Sequence, residues 1–157
     1  MTTATERLAA AGLELPKVAT PLGVYVPAVR HAGLVYTSGQ LPLVNGELLA
    51  TGLVGDRDGD VTPELAKECA RASVLNAIAA AAEAAGGLDN IIQVIRVTGF
   101  VASAPGFTAQ PGVINGASEL LGEVFGDAGR HARSAVGVAA LPLNVPVEIE
   151  LTVAISS

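Results

Sequence analysis

The stretch Thr62–Gly87, TPELAKECARASVLNAIAAAAEAAGG, followed by Ile91–Val101, IIQVIRVTGFV, decides the fold class. Thr62 suits a helix N-cap, and Pro63 sits at the first helical position, where its missing N–H is not needed. Glu64 lies near the positive end of the helix dipole, and Gly86-Gly87 stops the helix at about Ala85. Ala66, Ala70, Val74, Ala77, Ile78 and Ala81 recur at three- and four-residue spacing, so the helix has a thin apolar stripe. A helix surfaced with alanine lies close to whatever it covers. Ile91–Val101 is apolar on both faces apart from Gln93, Arg96 and Thr98, the pattern of a strand central to a sheet.

On the N-terminal side, Glu6–Gly12 suits one or two helical turns ended by Leu13-Glu14-Leu15-Pro16. Strands are predicted at Val24–Val29 and Leu34–Ser38, joined by the hairpin loop Arg30-His31-Ala32-Gly33. Asn45–Asp60 is rich in glycine and aspartate and reads as a loop with one short edge strand. On the C-terminal side, a second helix is expected over Pro111–Phe125. Gly126-Asp127-Ala128-Gly129 then turns the chain into a strand beginning near Arg133, and Val147-Glu148-Ile149-Glu150-Leu151 alternates as the last strand. The order β-β-(β)-α-β-α-β-β predicts an α+β fold, a single mixed β-sheet with two helices on one face. The other face has no helix left to cover it, so other subunits are expected there.

Composition narrows the function. The 157 residues are expected to form one domain, 1–157. Half of them are hydrophobic and 15% are charged, which points to apolar surface shared between subunits. A net charge of −6 with nine Lys and Arg in all argues against nucleic-acid binding. Cys69 is alone and falls in the first long helix as a small buried hydrophobe, consistent with a reducing cytoplasm. The N-terminus lacks a secretory pattern, and Pro105, Pro111 and several glycines break the uncharged run Val97–Ser118 before it could span a bilayer. A soluble cytoplasmic protein is expected, with no metal cluster and no cofactor motif.

Chemistry concentrates in His131-Ala132-Arg133-Ser134-Ala135-Val136-Gly137-Val138-Ala139-Ala140. On a strand, Arg133, Ala135, Gly137 and Ala139 share one face, and Ser134, Val136, Val138 and Ala140 share the other. The even face reads as core. The odd face sets a guanidinium beside a nearly bare backbone, where a carboxylate is the natural guest for the rigid fork of donors.

The ordered motifs Tyr25, Tyr36-Thr37-Ser38-Gly39-Gln40-Leu41-Pro42, Asn115 within Val113–Ala117, Arg133-Ser134 with Val138–Pro142, and Glu148 within Val147–Glu150 resemble the Rid proteins. These are the reactive intermediate deaminases, also called the YjgF family and formerly L-PSP endoribonucleases. The resemblance covers about residues 20–156. It implies a chorismate-mutase-like fold assembled as a homotrimer with sites in the clefts between subunits. It also implies hydrolysis of enamine or imine acids such as 2-aminoacrylate to a 2-keto acid and ammonium, without metal or cofactor. Carried over, Arg133 would clamp the substrate carboxylate, Glu148 would position or activate water, and Tyr25, Ser38, Gly39 and Asn115 would line the pocket. Ala135 stands in the pocket where typical members have a cysteine. That change, a slightly longer Asn115–Arg133 interval, the extension 1–20 and the 52–60 loop mark a divergent, longer branch.

Other readings compete at single positions. Glu150 suits the wet side of its strand, Ser38 also suits a strand end, and Asn115 also suits a polar helix residue satisfied by backbone. His31, placed in the hairpin loop, and His131, placed before the strand, are read as non-catalytic. A two-residue turn at Pro142-Leu143 would pair the Arg133 and Glu148 strands, with Gly137 opposite Glu148 and Arg133 opposite Thr152. The two charged groups would then share a face roughly 13 Å apart, so a neighbouring subunit is expected to supply one of them. A non-catalytic keto-acid binding trimer is the alternative function. A ribonuclease is disfavoured by the acidic balance and the lack of a histidine or lysine pair.

Overall fold

A computed structural model describes residues Met1–Ser157. In chain order the elements are α1 (Ala4–Ala10), β1 (Ala28–His31), β2 (Leu34–Thr37), β3 (Leu43–Val44), β4 (Glu47–Leu48), α2 (Pro63–Ala85), β5 (Ile91–Ala102), α3 (Gln110–Phe125), β6 (Ala132–Val138) and β7 (Val147–Ile155). One five-stranded sheet has the order β1-β2-β7-β5-β6, and β3 and β4 form a separate small hairpin. The fold is α+β with one mixed sheet as expected, but it has three helices rather than two. The first segment closes into α1 because Thr3 and Glu6 form a reciprocal capping box, with the Glu6 amide donating to Thr3 Oγ1 at 3.1 Å and the Thr3 amide to Glu6 Oε2 at 2.9 Å.

The long helix follows its sequence signals. The Thr62 hydroxyl accepts the Leu65 amide at 3.2 Å, Pro63 opens α2, and Gly86 ends it in the left-handed conformation at φ 78°. Ala66, Ala70, Val74, Ala77, Ile78 and Ala81 are all fully buried. Small alanines let α2 lie close over β7 and β2, and α3 lies beside it. Lys67–Glu119 at 3.0 Å and Arg71–Glu123 at 2.8 Å link the two helices on their outer side. Cys69 is buried, and desolvation, with a smaller contribution from the Glu68 charge, pushes its thiol up to about 11, so the thiolate is not populated near neutrality.

β7 lies between β2 and β5, and β5 between β7 and β6. Val147, Ile149, Leu151, Val153 and Ile155 face the helices and are buried, while Glu148, Glu150, Thr152 and Ala154 alternate with them. Thr37 Oγ1 accepts the Leu151 amide at 3.0 Å, and Gln40 and Ile149 exchange backbone hydrogen bonds at 2.7 and 3.0 Å. From Tyr36, paired with Thr152, to Gln40, paired with Ile149, the β2 side therefore carries one more residue than β7, and Ser38-Gly39 occupies this bulge. No element of the chain covers the face of the sheet away from α2 and α3, where Val29, Tyr36 and Val136 stand exposed.

Three expectations need correction. First, β6 does not pair with β7. The β5–α3–β6 connection is a crossover that lays β6 parallel to β5, with Val97 beside Arg133, and β7 takes the opposite edge of β5. The linking turn holds Leu143 and Asn144 at φ 56° and 59° and carries the chain across the end of β5 instead of folding it back. Second, the faces of β6 are exchanged. Residues side by side in a parallel ladder point the same way, so Arg133, in register with buried Val97, faces the helix layer, and Val136, beside Phe100, faces outward. Third, Tyr25 is not on a strand. Pro27 removes a donor and ends pairing, so β1 begins at Ala28, runs on to include Arg30 and His31, and turns at Ala32-Gly33 alone. Similarly, the edge strand placed in Asn45–Asp60 is β4, which pairs with β3 around Asn45-Gly46 and not with the main sheet.

Replacing Thr62 by Ala removes one cap and is expected to cost about 1 kcal/mol of stability. Ile149→Ala, in the fully buried row of β7, is expected to cost about 2–5 kcal/mol. Urea unfolding at one fixed protein concentration measures both.

Candidate functional site

The predicted site residues fall into two groups. The first lies between β6 and α3. Arg133 Nη1 donates to Asn115 Oδ1 at 2.9 Å and to Ser118 Oγ at 3.2 Å, and Nη2 donates to the Pro111 carbonyl at 3.4 Å. All three acceptors are neutral, and no carboxylate of the chain lies within ion-pair distance of Arg133. No carboxylate within the chain offsets the positive charge of the guanidinium. Of its five N–H donors, the Nε hydrogen and the second Nη2 hydrogen remain, the number a two-pronged carboxylate contact requires.

Beyond Arg133 the bare side of β6 is occupied by the chain itself. Ala135 is half-buried and packs against the hydrophobic core. A Cβ at Gly137 would come within 2.7 Å of Gln110 Nε2 and 3.0 Å of Ser103 Oγ, so the Gln110 side-chain amide takes up the space a larger residue would fill. The small residues of this strand fit neighbours already present in the fold.

The second group lies at the other end of the sheet, around the β2 bulge. The Ser38 hydroxyl donates to the Val26 carbonyl at 2.6 Å and its amide donates to the Pro27 carbonyl at 2.8 Å, pinning the segment that carries Tyr25. Tyr25 and Gly39 line a cleft of about 260 Å³ with Pro21, Leu22, Gln40 and Leu143. Any Cβ at Gly39 would overlap the Glu148 carboxylate, so the carboxylate rests directly on the bare backbone of the bulge. Glu148 is half-buried. Desolvation, and to a smaller degree the neighbouring charge of Glu150, holds its carboxyl above the ordinary value of 4.5.

Arg133 and Glu148 do not meet within one chain. Arg133 is in the ladder row of Val97 and Leu151, whose side chains face the helices, whereas Glu148 is in the row of Phe100 and Val136 on the open face. They lie on opposite faces of the sheet, not on a shared one. Two strand spacings and three residues separate their backbones, roughly 14 Å. The histidines are further apart. His31 ends β1 at one edge of the sheet and His131 precedes β6 at the other, four strand spacings or roughly 19 Å away.

Sequence reasoning passed over Ser118 and His131. Ser118 Oγ lies 2.9 Å from His131 Nε2, and His131 Nδ1 lies 2.6 Å from the Gly129 carbonyl, so the imidazole joins the Arg133 group. The signal was present in the chain. Asn115 and Ser118 are three residues apart among the apolar residues of α3 that are buried, Val113, Ile114, Ala117, Leu120 and Leu121, and so share a face with each other. No group of three or more His, Cys, Asp or Glu side chains is placed to hold a metal ion, and no helix is long and apolar enough to cross a membrane.

A mixed sheet in the order β1-β2-β7-β5-β6 under two long helices, with the tyrosine–serine–glycine bulge and the clamped arginine, defines a YjgF-like α+β protein. The chain belongs to the family described as "YjgF/chorismate mutase-like, putative endoribonuclease", whose model matches residues 5–154. It is 39% identical over 147 residues to protein TCP17 of Trypanosoma cruzi, covering 93% of this chain and 90% of that one. It superposes with a TM-score of 0.92 on a Shewanella oneidensis crystal structure described with the same endoribonuclease wording, at 38% identity over 98% of this chain and 99% of that one. It also resembles E. coli TdcF, solved with bound serine, at 28% identity and a TM-score of 0.62 over 89% of this chain and 94% of that one.

The raised carboxyl of Glu148 has a consequence for stability. Its native value lies above the unfolded one near 4.5, so the native state loses stability as pH rises through the raised value. Glu148→Gln abolishes that loss. Its melting temperature is expected to exceed the parent's at about pH 8 and to match it at about pH 4, where both side chains are neutral. Calorimetric melting at the two pH values checks this.

Proposed function

We propose that the protein hydrolyses small enamine and imine acids of the 2-aminoacrylate type to 2-keto acids and ammonium, working in the cytoplasm as a homotrimer with its sites between subunits. The observation that carries this reading is Arg133, a guanidinium with no carboxylate partner, fixed by neutral acceptors with two donors to spare. TdcF with bound serine supports it, because a family relative there accommodates a small amino acid. The open sheet face and the exposed apolar run Leu22, Val24, Tyr25 and Val26 supply surface for subunit contact.

The mechanism follows from the two groups. The enamine tautomerises to an imine, whose C2 is electrophilic. Arg133 binds the carboxylate and orients C2. Glu148, a carboxyl whose affinity for protons is raised by burial, takes a proton from water as the oxygen adds to C2 and passes it to the imine nitrogen, giving a carbinolamine; it then takes the hydroxyl proton and delivers it to the amine nitrogen as the C–N bond breaks and the C=O bond forms. Ammonia leaves and is protonated to ammonium in solution, and the keto acid remains. Tyr25, Ser38 and Gly39 shape the Glu148 side of the cleft, and Asn115 holds Arg133. Because one chain separates Arg133 from Glu148, the site takes Arg133 from one subunit and Glu148 from the next.

The second reading is a keto-acid binder without turnover. It is favoured by the Arg133 group being complete within one chain while Glu148 is not part of it.

Purified protein, supplied with 2-aminoacrylate generated in place by a lyase, is expected to accelerate ammonia release. Arg133→Ala and Glu148→Gln should each reduce that acceleration by about 10²-fold or more. Pyruvate binding with no acceleration by the parent protein supports the binder instead. Co-expressing Arg133→Ala with Glu148→Ala chains is expected to restore about one quarter of all sites, one in each mixed trimer, whereas sites built from single chains would stay dead.

A further inference from the structure

We propose that Ser118 and His131 are positioning residues that aim the Arg133 guanidinium at its anionic ligand, an inference resting on the reading of Arg133 as the carboxylate clamp. The argument is one of hydrogen-bond direction. The Gly129 carbonyl can only accept, so His131 Nδ1, 2.6 Å away, carries a proton and donates it. In the neutral imidazole, Nε2 then has a lone pair, and at 2.9 Å it accepts the Ser118 hydroxyl hydrogen. With that hydrogen committed, Ser118 Oγ presents a lone pair to Arg133 Nη1 at 3.2 Å. Carbonyl, imidazole, hydroxyl and guanidinium form one chain with a single direction.

The direction matters because a serine hydroxyl rotates freely. Left alone, it can turn its hydrogen toward the guanidinium and present no acceptor there. His131 decides which end of the hydroxyl Arg133 meets. Asn115 at 2.9 Å takes the other Nη1 hydrogen, so Nη1 is fully used inside the protein. A side chain as long as arginine has many rotamers, and holding Nη1 at two points fixes where the remaining Nε and Nη2 donors aim. The ligand class this serves is a small planar acid, a 2-keto or 2-imino carboxylate.

Calorimetric titration of the intact protein with pyruvate tests this, because two substitutions of His131 split its two bonds. Asparagine keeps a donor for Gly129 but cannot reach Ser118, whereas glutamine offers Ser118 an amide oxygen and leaves Gly129 unbonded. Ser118→Ala and His131→Asn are each expected to weaken pyruvate binding by about three- to tenfold. The double variant should be no weaker than either single one, since both break the same chain. Ser118→Thr and His131→Gln should bind close to the parent level, a rescue that a purely structural role for His131 at Gly129 would not produce. Parent-like binding by Ser118→Ala and His131→Asn, with binding lost in Arg133→Ala, overturns the positioning role and leaves the clamp standing. Loss in His131→Gln with retention in His131→Asn overturns it as well. No pyruvate binding by the parent, or undiminished binding by Arg133→Ala, overturns the clamp and this inference together.

Discussion

The alternation along β7 is the constraint on which the structure depends. Val147, Ile149, Leu151, Val153 and Ile155 must all turn to the helices, and a shift of one residue would put them all on the open face. The burial of that row is favourable by roughly 25 cal/mol for each Å² of apolar surface removed from water. It also fixes the strand between two neighbours. Thr37 and Gln40 on the β2 side and the ladder with β5 on the other set its register, and the same register puts Glu148 against Gly39. A catalytic candidate is therefore held in place by the packing of the hydrophobic residues on either side of it.

The two functional groups are stabilised in opposite ways. The partners of Arg133 are an amide, a hydroxyl and a carbonyl, which satisfy donors without setting a negative charge against the guanidinium. Glu148 is held above the ordinary carboxylate value by partial removal from water, with the neighbouring Glu150 charge adding to the effect. A permanent cation suits binding an anion, and a carboxyl with raised proton affinity suits moving a proton. Their separation across the sheet leaves each group its own environment, since contact between them would pull the glutamate's proton affinity down and cancel the charge of the clamp.

Much of this molecule was legible along the chain. The N-cap Thr62, Pro63, the alanine stripe and Gly86-Gly87 marked α2 to the residue, because helix ends and faces are decided by neighbours within a few positions. The alternation of Val147–Ile155 marked β7 for the same reason, and Asn115 and Arg133, eighteen residues apart, do meet. The partner of each strand was another matter. Pairing β6 with β7 looked natural because they are adjacent in sequence, yet the α3 crossover and the right-handed geometry of parallel connections gave β6 to β5. With that, the faces of β6 were exchanged, Ala135 turned to the core, Gly137 met the Gln110 side chain, and His131 moved from a bystander to a contact of Ser118. The sequence by itself determined the helices α2 and α3 and the strands β2, β5, β6 and β7, where the charged and bare positions lie, and which face of β7 is buried, all of them properties of local periodicity. Only the tertiary structure decided the order of strands and hence which face Arg133 shares with which residue, because a strand's backbone groups are satisfied equally well by any neighbour, and the choice among neighbours is made by the packing of the whole sheet against its helices.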